Sequence, residues 1–162
     1  MIESCLLSPA KMDLNDLDLI ITEATYADFS HPNRKEVEKT FIDSIREVVE
    51  NDGVVLIPAF AVGRSQEILC VLEKYRIDYP IFLDGMAIKV SDIYLKYKHF
   101  LKKNSLFEKA YKRVHIIDGW KKRRKAVKNP GIIISPAGML KGGASLFYAK
   151  KIVKNKKNGI FI

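Results

Sequence analysis

Residues 54–67 have the sequence VVLIPAFAVGRSQE, which predicts a buried strand, a loop and the start of a helix. The run from Val54 to Ile57 is apolar throughout and mostly β-branched, which is typical of a strand covered on both faces. Residues 58–63 then form a loop that contains a proline and a glycine. The helix that follows has apolar residues at helical spacing, namely Ile68, Leu69, Val71 and Leu72. A strand covered on both faces indicates a parallel sheet.

Strand and helix alternate in both directions from this unit. Further buried strands are predicted at 18–22, 81–83, 114–117 and 132–134, and another begins at 159. Further amphipathic helices are predicted at 33–51, near 87–102 and near 144–155. Tyr94, Tyr97, Phe100 and His115 are expected to face the core. The predicted fold class is α/β, Rossmann-like, with a mostly parallel β-sheet and helices on both faces.

In such sheets the loops at the carboxyl ends of the strands form the binding crevice. The loop that leads into the second helix contains Gly63, Arg64 and Ser65. Backbone N–H groups at a helix start favour phosphate, and an arginine can add a bidentate grip. Gly63 would allow the backbone to approach closely. The alternative is structural, with Ser65 as a helix cap and Arg64 paired with an acid.

A second glycine-rich loop precedes the last helix. Its candidate phosphate-binding residues are Ser135, Gly138, Lys141, Gly142 and Gly143. An ordinary turn that needs glycine for its geometry explains the same residues equally well. Tyr26 and Phe60 lie in loops of the same crevice, where they either stack on bases or pack as lids over the core.

Positive charge is concentrated in the second half of the chain. The net charge is +9, but residues 1–95 carry 9 basic and 17 acidic side chains, whereas residues 96–162 carry 19 basic and 2 acidic ones. A continuous basic run comprises Lys121, Lys122, Arg123, Arg124 and Lys125. This asymmetry favours contact with a polyanion such as a nucleic-acid backbone, although a solvated lysine-rich face stays an alternative.

Other features exclude several classes of protein. No apolar run is long enough for a membrane helix, and the first residues do not form a signal peptide. Cys5 and Cys70 lie far apart in the sequence, which favours reduced thiols in a cytoplasmic protein. The three histidines, His31, His99 and His115, form no chelating pattern. We therefore predict no metal site on this chain.

Four segments together resemble the β-CASP nucleases, a family that includes RNA 3′-end processing endonucleases, RNase J and archaeal relatives. Residues 56–67 are similar to the family signature IPAFAVGRSQE nearly letter for letter. Residues 21–27, 82–87 and 135–143 resemble the ESTYG, DSPMA and SSGML segments in the same order. The chain departs from the pattern at Ala24 and Ala27, where the family often has serine and glycine.

The resemblance implies the RNA-binding portion of a zinc-dependent ribonuclease. In this family a metallo-β-lactamase domain of the same polypeptide binds two zinc ions, and the β-CASP domain closes over the RNA. Glu23 matches the family's acidic motif and is the candidate catalytic residue. We expect residues 1–28 to link to the lactamase domain and residues 29–162 to form a β-CASP domain truncated at its C-terminal end. The chain is then expected to bind single-stranded RNA but to be inactive by itself.

Two alternatives stay open. A non-catalytic RNA-binding or scaffold relative would keep this domain and lack the zinc ligands. A Rossmann-like small-molecule binder would need a GxGxxG fingerprint after its first strand, which the sequence does not contain. The sequence does not distinguish endonuclease from exonuclease action, and it leaves a homo-oligomer open.

Overall fold

The computed structural model describes residues 4–9, 13, 15–22 and 24–162. Within them the chain forms five strands, six α-helices and one 3-10 helix, Lys98–Phe100. The strands are β1 Val54–Pro58, β2 Ile81–Asp84, β3 Val114–Ile117, β4 Gly131–Ser135 and β5 Gly159–Ile160. The α-helices are α1 Arg34–Glu50, α2 Arg64–Lys74, α3 Met86–Lys96, α4 Asn104–Lys112, α5 Trp120–Ala126 and α6 Gly143–Ile152.

The strands form one sheet in the order β3-β2-β4-β1-β5, and every pairing is parallel. The two central strands, β1 and β4, pair along their whole length, with Val54 opposite Gly131 and Pro58 opposite Ser135. All residues of both strands are buried. The predicted α/β fold with a parallel sheet is confirmed.

Helices cover both faces of this sheet. On one face, residues of α1, α2 and α4 such as Ile42, Leu69 and Phe107 pack in one cluster with Val55 and Ile134. On the other face, Ala126 of α5 and Tyr148 and Ile152 of α6 pack with Leu56 and Ile133. Successive residues of one strand thus pack into the cores on opposite faces of the sheet, because side chains alternate along a strand. Truncating one of these leucines or isoleucines to alanine would cost about 2–5 kcal/mol.

The predicted strand at 18–22 is wrong. These residues adopt no regular structure, and Leu19 and Ile21 are 75% and 88% exposed. An apolar run indicates that a segment needs burial, but it does not specify a partner. Within the described residues both neighbours of β1 are already occupied, by β4 and β5.

The region after β2 also differs from the prediction. One long helix was expected, but α3 ends at Lys96 and a separate helix, α4, begins at Asn104. Tyr97 and Phe100 are 47% and 73% exposed instead of buried. His115 is exposed as well, because β3 is an edge strand of the sheet.

Among the described helices none has the length and hydropathy needed to cross a membrane.

Candidate nucleic-acid interface

The loops after β1 and β4 meet at the topological switch point of the sheet. The two strands are neighbours, yet β1 leads to α2 on one face and β4 leads to α6 on the other. A crevice forms at the carboxyl ends of strands whose connections diverge in this way. The loops are also bonded to each other, because the Ala59 N–H donates to the Ser135 carbonyl at 3.1 Å.

The loop after β1 is closed by Ser65. Its hydroxyl donates to the Phe60 carbonyl at 2.7 Å, and its N–H donates to the same oxygen at 3.2 Å. Ser65 is fully buried, so its side chain holds the loop instead of facing solvent. Arg64 is exposed, and Gly63 has a φ of 78° with open space where a side chain would lie. Gly63 and Arg64 are therefore the two members of the predicted trio at the surface.

The loop after β4 divides its predicted residues in the same way. Ser135 is buried and donates to the Pro136 carbonyl at 3.1 Å. Gly138 packs against Phe60, whose nitrogen would lie 3.2 Å from an added Cβ. Gly143 has a φ of 68° and lies against the Pro136 carbonyl. Lys141 is exposed, and Gly142 has open space beside it. Of the predicted residues in this loop, Lys141, Gly142 and the exposed Gly143 are accessible to a ligand, whereas Ser135 and Gly138 are buried.

A cavity of about 830 Å³ lies beside the β1 loop, between α1, α2 and the ends of β1 and β5. Tyr26, Arg64 and Gly138 line it together, as do Phe60 and Arg34. The structure therefore brings three of the predicted site residues to one cavity. Tyr26 is 53% exposed, and its ring centroid lies 4.7 Å from that of His31.

Three residues that line this cavity, Arg34, Glu38 and Glu67, belong to a charge network that the sequence did not reveal. Buried Glu67 accepts hydrogen bonds from the Cys5 N–H at 2.8 Å, the Ser4 hydroxyl at 2.7 Å and Arg34 at 2.7 Å. Arg34 also pairs with Glu38 at 2.6 Å. Burial disfavours the charged form of Glu67, but these donors outweigh it and lower its pKa. Glu67 therefore joins the N-terminal segment to α1 and α2.

A second buried network lies at the end of β2. Asp84 is fully buried and accepts two hydrogen bonds from Arg123, at 2.7 and 2.9 Å, and one from the Tyr148 hydroxyl at 2.6 Å. The hydrogen bond with Asp84 raises the pKa of Arg123. Asp84 was not among the predicted site residues. Its position after a buried strand, just before Gly85, is the signal that could have identified it.

The predicted basic surface needs correction at Arg123. The Arg123 guanidinium forms an ion pair with Asp84 and lies 4.8 Å from the centroid of the Trp120 ring. It is therefore not available to bind a phosphate. Lys122 is exposed but pairs with Asp118 at 2.8 Å. Lys121, Arg124 and Lys125 are exposed on α5. A run of like charges in the sequence cannot show which member turns inward, because that depends on where α5 meets its neighbours.

The described residues do not fit a metal site. Among them, no group of three histidine, cysteine, aspartate or glutamate side chains is arranged to hold an ion. Cys5 and Cys70 are both buried free thiols. Glu23, the candidate catalytic residue, lies outside the described residues. The zinc ions implied by the resemblance thus find no ligand set among the described residues.

Comparison with known proteins gives consistent matches. A family model described as the Beta-Casp domain matches residues 65–162. RNase aCSPSF2 of Saccharolobus solfataricus is 44% identical over 161 residues, which are 99% of this chain and 33% of that protein. Probable RNase MJ4 of Methanocaldococcus jannaschii is 48% identical over 152 residues, 91% of this chain and 36% of that protein. Transcription termination factor FttA of Pyrococcus abyssi is 36% identical over 172 residues, which cover 96% of this chain and 26% of that protein. The chain thus spans about a third of the length of these curated relatives.

Proposed function

This chain belongs to the Beta-Casp domain family, and from that premise we propose that it is the RNA-binding part of a zinc-dependent ribonuclease. The reaction is hydrolysis of RNA phosphodiester bonds. In this proposal the zinc ligands come from a metallo-β-lactamase domain of the same polypeptide, as the resemblance implies. Residues 1–28 link to that domain, residues 29–162 form the RNA-binding domain, and the protein acts in the cytoplasm.

One observation carries this proposal. Two loops that both precede helices meet at the switch point of the sheet, and each presents one exposed cation, Arg64 or Lys141, beside an open glycine, Gly63 or Gly142. A guanidinium can grip a phosphate with two parallel hydrogen bonds, and an ammonium adds a point charge. The open glycines leave space for a phosphate beside these cations. At the start of α2 the N–H groups of Arg64 and Ser65 already donate to the Val62 and Phe60 carbonyls, so Arg64 acts there through its side chain. This arrangement suits the sugar-phosphate chain of RNA.

The remaining predicted residues have different roles in this proposal. Ser65, Ser135, Gly138 and Gly143 shape the two loops and do not bind phosphate through their side chains. Glu23 remains the proposed proton donor or positioning group for the leaving oxygen, on the resemblance alone. The exposed cations of α5 guide the RNA backbone away from the crevice.

RNA binding by variants of the two exposed cations tests the proposal. Arg64→Ala and Lys141→Ala should each weaken binding of a short oligouridine. Each should also flatten the dependence of log affinity on log salt by about 0.7, the value for one lost phosphate contact on a single strand. Lys39→Ala is the matched control, because Lys39 is exposed on α1 and is not among the residues that line the cavity beside the β1 loop. Unchanged affinity and salt dependence in both crevice variants would contradict the proposal.

Cleavage is tested on the polypeptide that contains this chain together with its lactamase domain. Zinc-stimulated cleavage that is lost in Glu23→Gln while RNA binding is retained supports the nuclease role. RNA binding without any zinc-stimulated cleavage would instead indicate the non-catalytic alternative.

A further inference from the structure

An exposed apolar side chain follows the carboxyl end of each of four adjacent strands. Phe60 and Val62 follow β1, Met139 follows β4, Met86 follows β2 and Trp120 follows β3, and all five are 56–66% exposed. Single exposed apolar residues are common, but here one or more follow each of four neighbouring strands at the same edge of the sheet. We call these five residues the apolar rim.

The rim is held by rigid contacts beneath it. The Trp120 ring lies 5.2 Å from Phe147, and the Arg123 guanidinium lies 4.8 Å from the Trp120 ring. Arg123 is fixed in turn by its two hydrogen bonds to buried Asp84. The backbone of Phe60 is held at its carbonyl, which accepts both hydrogen bonds from Ser65. The Trp120 ring and the Phe60 backbone are therefore pre-organised, which lowers the entropy lost when they bind a ligand.

Positive charge borders the rim. Arg64, Lys121, Arg124 and Lys141 are exposed next to its members in the sequence. The described carboxylates near this edge are neutralised, since Asp84 is buried against Arg123 and Asp118 pairs with Lys122. An apolar row flanked by cations complements a polymer whose flat rings alternate with phosphates. Unpaired RNA bases expose such rings, whereas a duplex keeps them inside its stack.

The dimensions agree with a short single strand. Trp120 and Phe60 follow β3 and β1, which are three strand positions apart in the sheet. At about 4.8 Å per position, the rim is about 14 Å long. One base face at each of the four strand positions, about 4.8 Å apart, gives room for about four nucleotides.

We propose that the apolar rim is a base-binding platform, which holds about four unpaired nucleotides across the carboxyl edge of the sheet without reading their sequence. The proposal rests on the proposed RNA-binding function and adds the part of the ligand that is recognised. Arg64 and Lys141 bind phosphates, whereas the rim binds the faces of the bases.

Two probes separate these contributions: a short oligouridine and an oligomer of the same length with the same phosphates but no bases. Trp120 is the single tryptophan of the chain, so its fluorescence reports directly on the rim. We expect oligouridine to quench Trp120 and to bind about five-fold or more tightly than the abasic oligomer, as stacking on one aromatic ring would give. Equal affinity for the two oligomers without quenching would overturn the base platform and leave phosphate binding intact. Failure of both oligomers to bind would overturn the proposed function as well.

Variants locate the effect on the rim. Phe60→Ala and Met139→Ala remove exposed side chains, so we expect unchanged circular dichroism, weaker oligouridine binding and unchanged binding of the abasic oligomer. Val153→Ala is the matched control, because Val153 is 69% exposed but follows α6 near the amino end of β5. If the rim variants instead dissociate an oligomer while oligouridine binding stays the same, the rim is a protein interface and the proposal is wrong.

Discussion

Arg123 donates two parallel hydrogen bonds to Asp84, from Nε to Oδ2 at 2.7 Å and from Nη2 to Oδ1 at 2.9 Å. Asp84 ends β2 and Arg123 belongs to α5, so this ion pair joins a central part of the sheet to the helix that carries the exposed cations. The Tyr148 hydroxyl adds α6 to the same carboxylate at 2.6 Å. One buried acid thus positions both helices on the second face of the sheet.

Replacing Asp84 by alanine should therefore destabilise the protein strongly. The change leaves Arg123 without its carboxylate and the Tyr148 hydroxyl without its acceptor, and breaking a buried pair typically costs about 3–5 kcal/mol. The measurement is the free energy of unfolding in urea. Asp118→Ala is the control, because Asp118 also pairs with a basic residue of α5 but is 67% exposed, and exposed pairs contribute about 0–1 kcal/mol. Equal effects of the two changes would contradict the role of burial.

Gly138→Ala should separate the two crevice loops. A Cβ at this position would lie 3.2 Å from the Phe60 nitrogen and 3.3 Å from the Ala59 carbonyl carbon, so one of the loops must move. We expect a loss of about 1–3 kcal/mol in the free energy of unfolding, as for other overpacked sites, together with weaker RNA binding. Gly142→Ala has open space and an extended backbone, and its stability should stay near that of the wild type. A fully stable Gly138→Ala protein would show that the loops do not need this close packing.

The sheet could be predicted because β1 and β4 are continuous apolar runs with loops that contain proline or glycine. The positions of Arg64, Gly63 and Lys141 at the carboxyl edge followed from the same pattern. Other features depend on contacts between distant residues. Strand order made His115 an exposed residue of an edge strand, and it also decided that Arg123 turns inward toward Asp84. Burial of Ser65 depended on the path of the loop that it closes.

Acid should weaken the Glu67 network. The pKa of Glu67 is lowered in the folded protein because its hydrogen bonds and Arg34 outweigh its burial. A lowered carboxylate pKa stabilises the fold above the unfolded-state value, near 4.5, and this contribution is lost as the pH falls through the lower folded-state value. Glu67→Gln should thus be less stable than the wild type at about pH 7, and the difference should shrink as the pH falls below about 4.5.

Urea unfolding across this pH range measures the Glu67 effect. Glu47→Gln is the control, because Glu47 is exposed on α1. Its stability difference from the wild type should be small at every pH. If the difference in free energy of unfolding between Glu67→Gln and the wild type stays constant as the pH falls, the carboxylate charge is not what stabilises the network.

Replacing the two neighbouring arginines of α5 should affect different properties: RNA binding for Arg124 and stability for Arg123. Arg124 is exposed, so Arg124→Ala should weaken oligouridine binding and flatten its salt dependence by about 0.7 per lost phosphate contact, with little change in stability. Arg123 is fixed by Asp84, so Arg123→Ala should lower the free energy of unfolding by about 3–5 kcal/mol, because it leaves a buried carboxylate unpaired. Salt-dependent binding measurements and urea unfolding on both variants test the contrast. If Arg124→Ala binds RNA as the wild type does, the exposed cations of α5 are a solvated face and not a path for the RNA backbone.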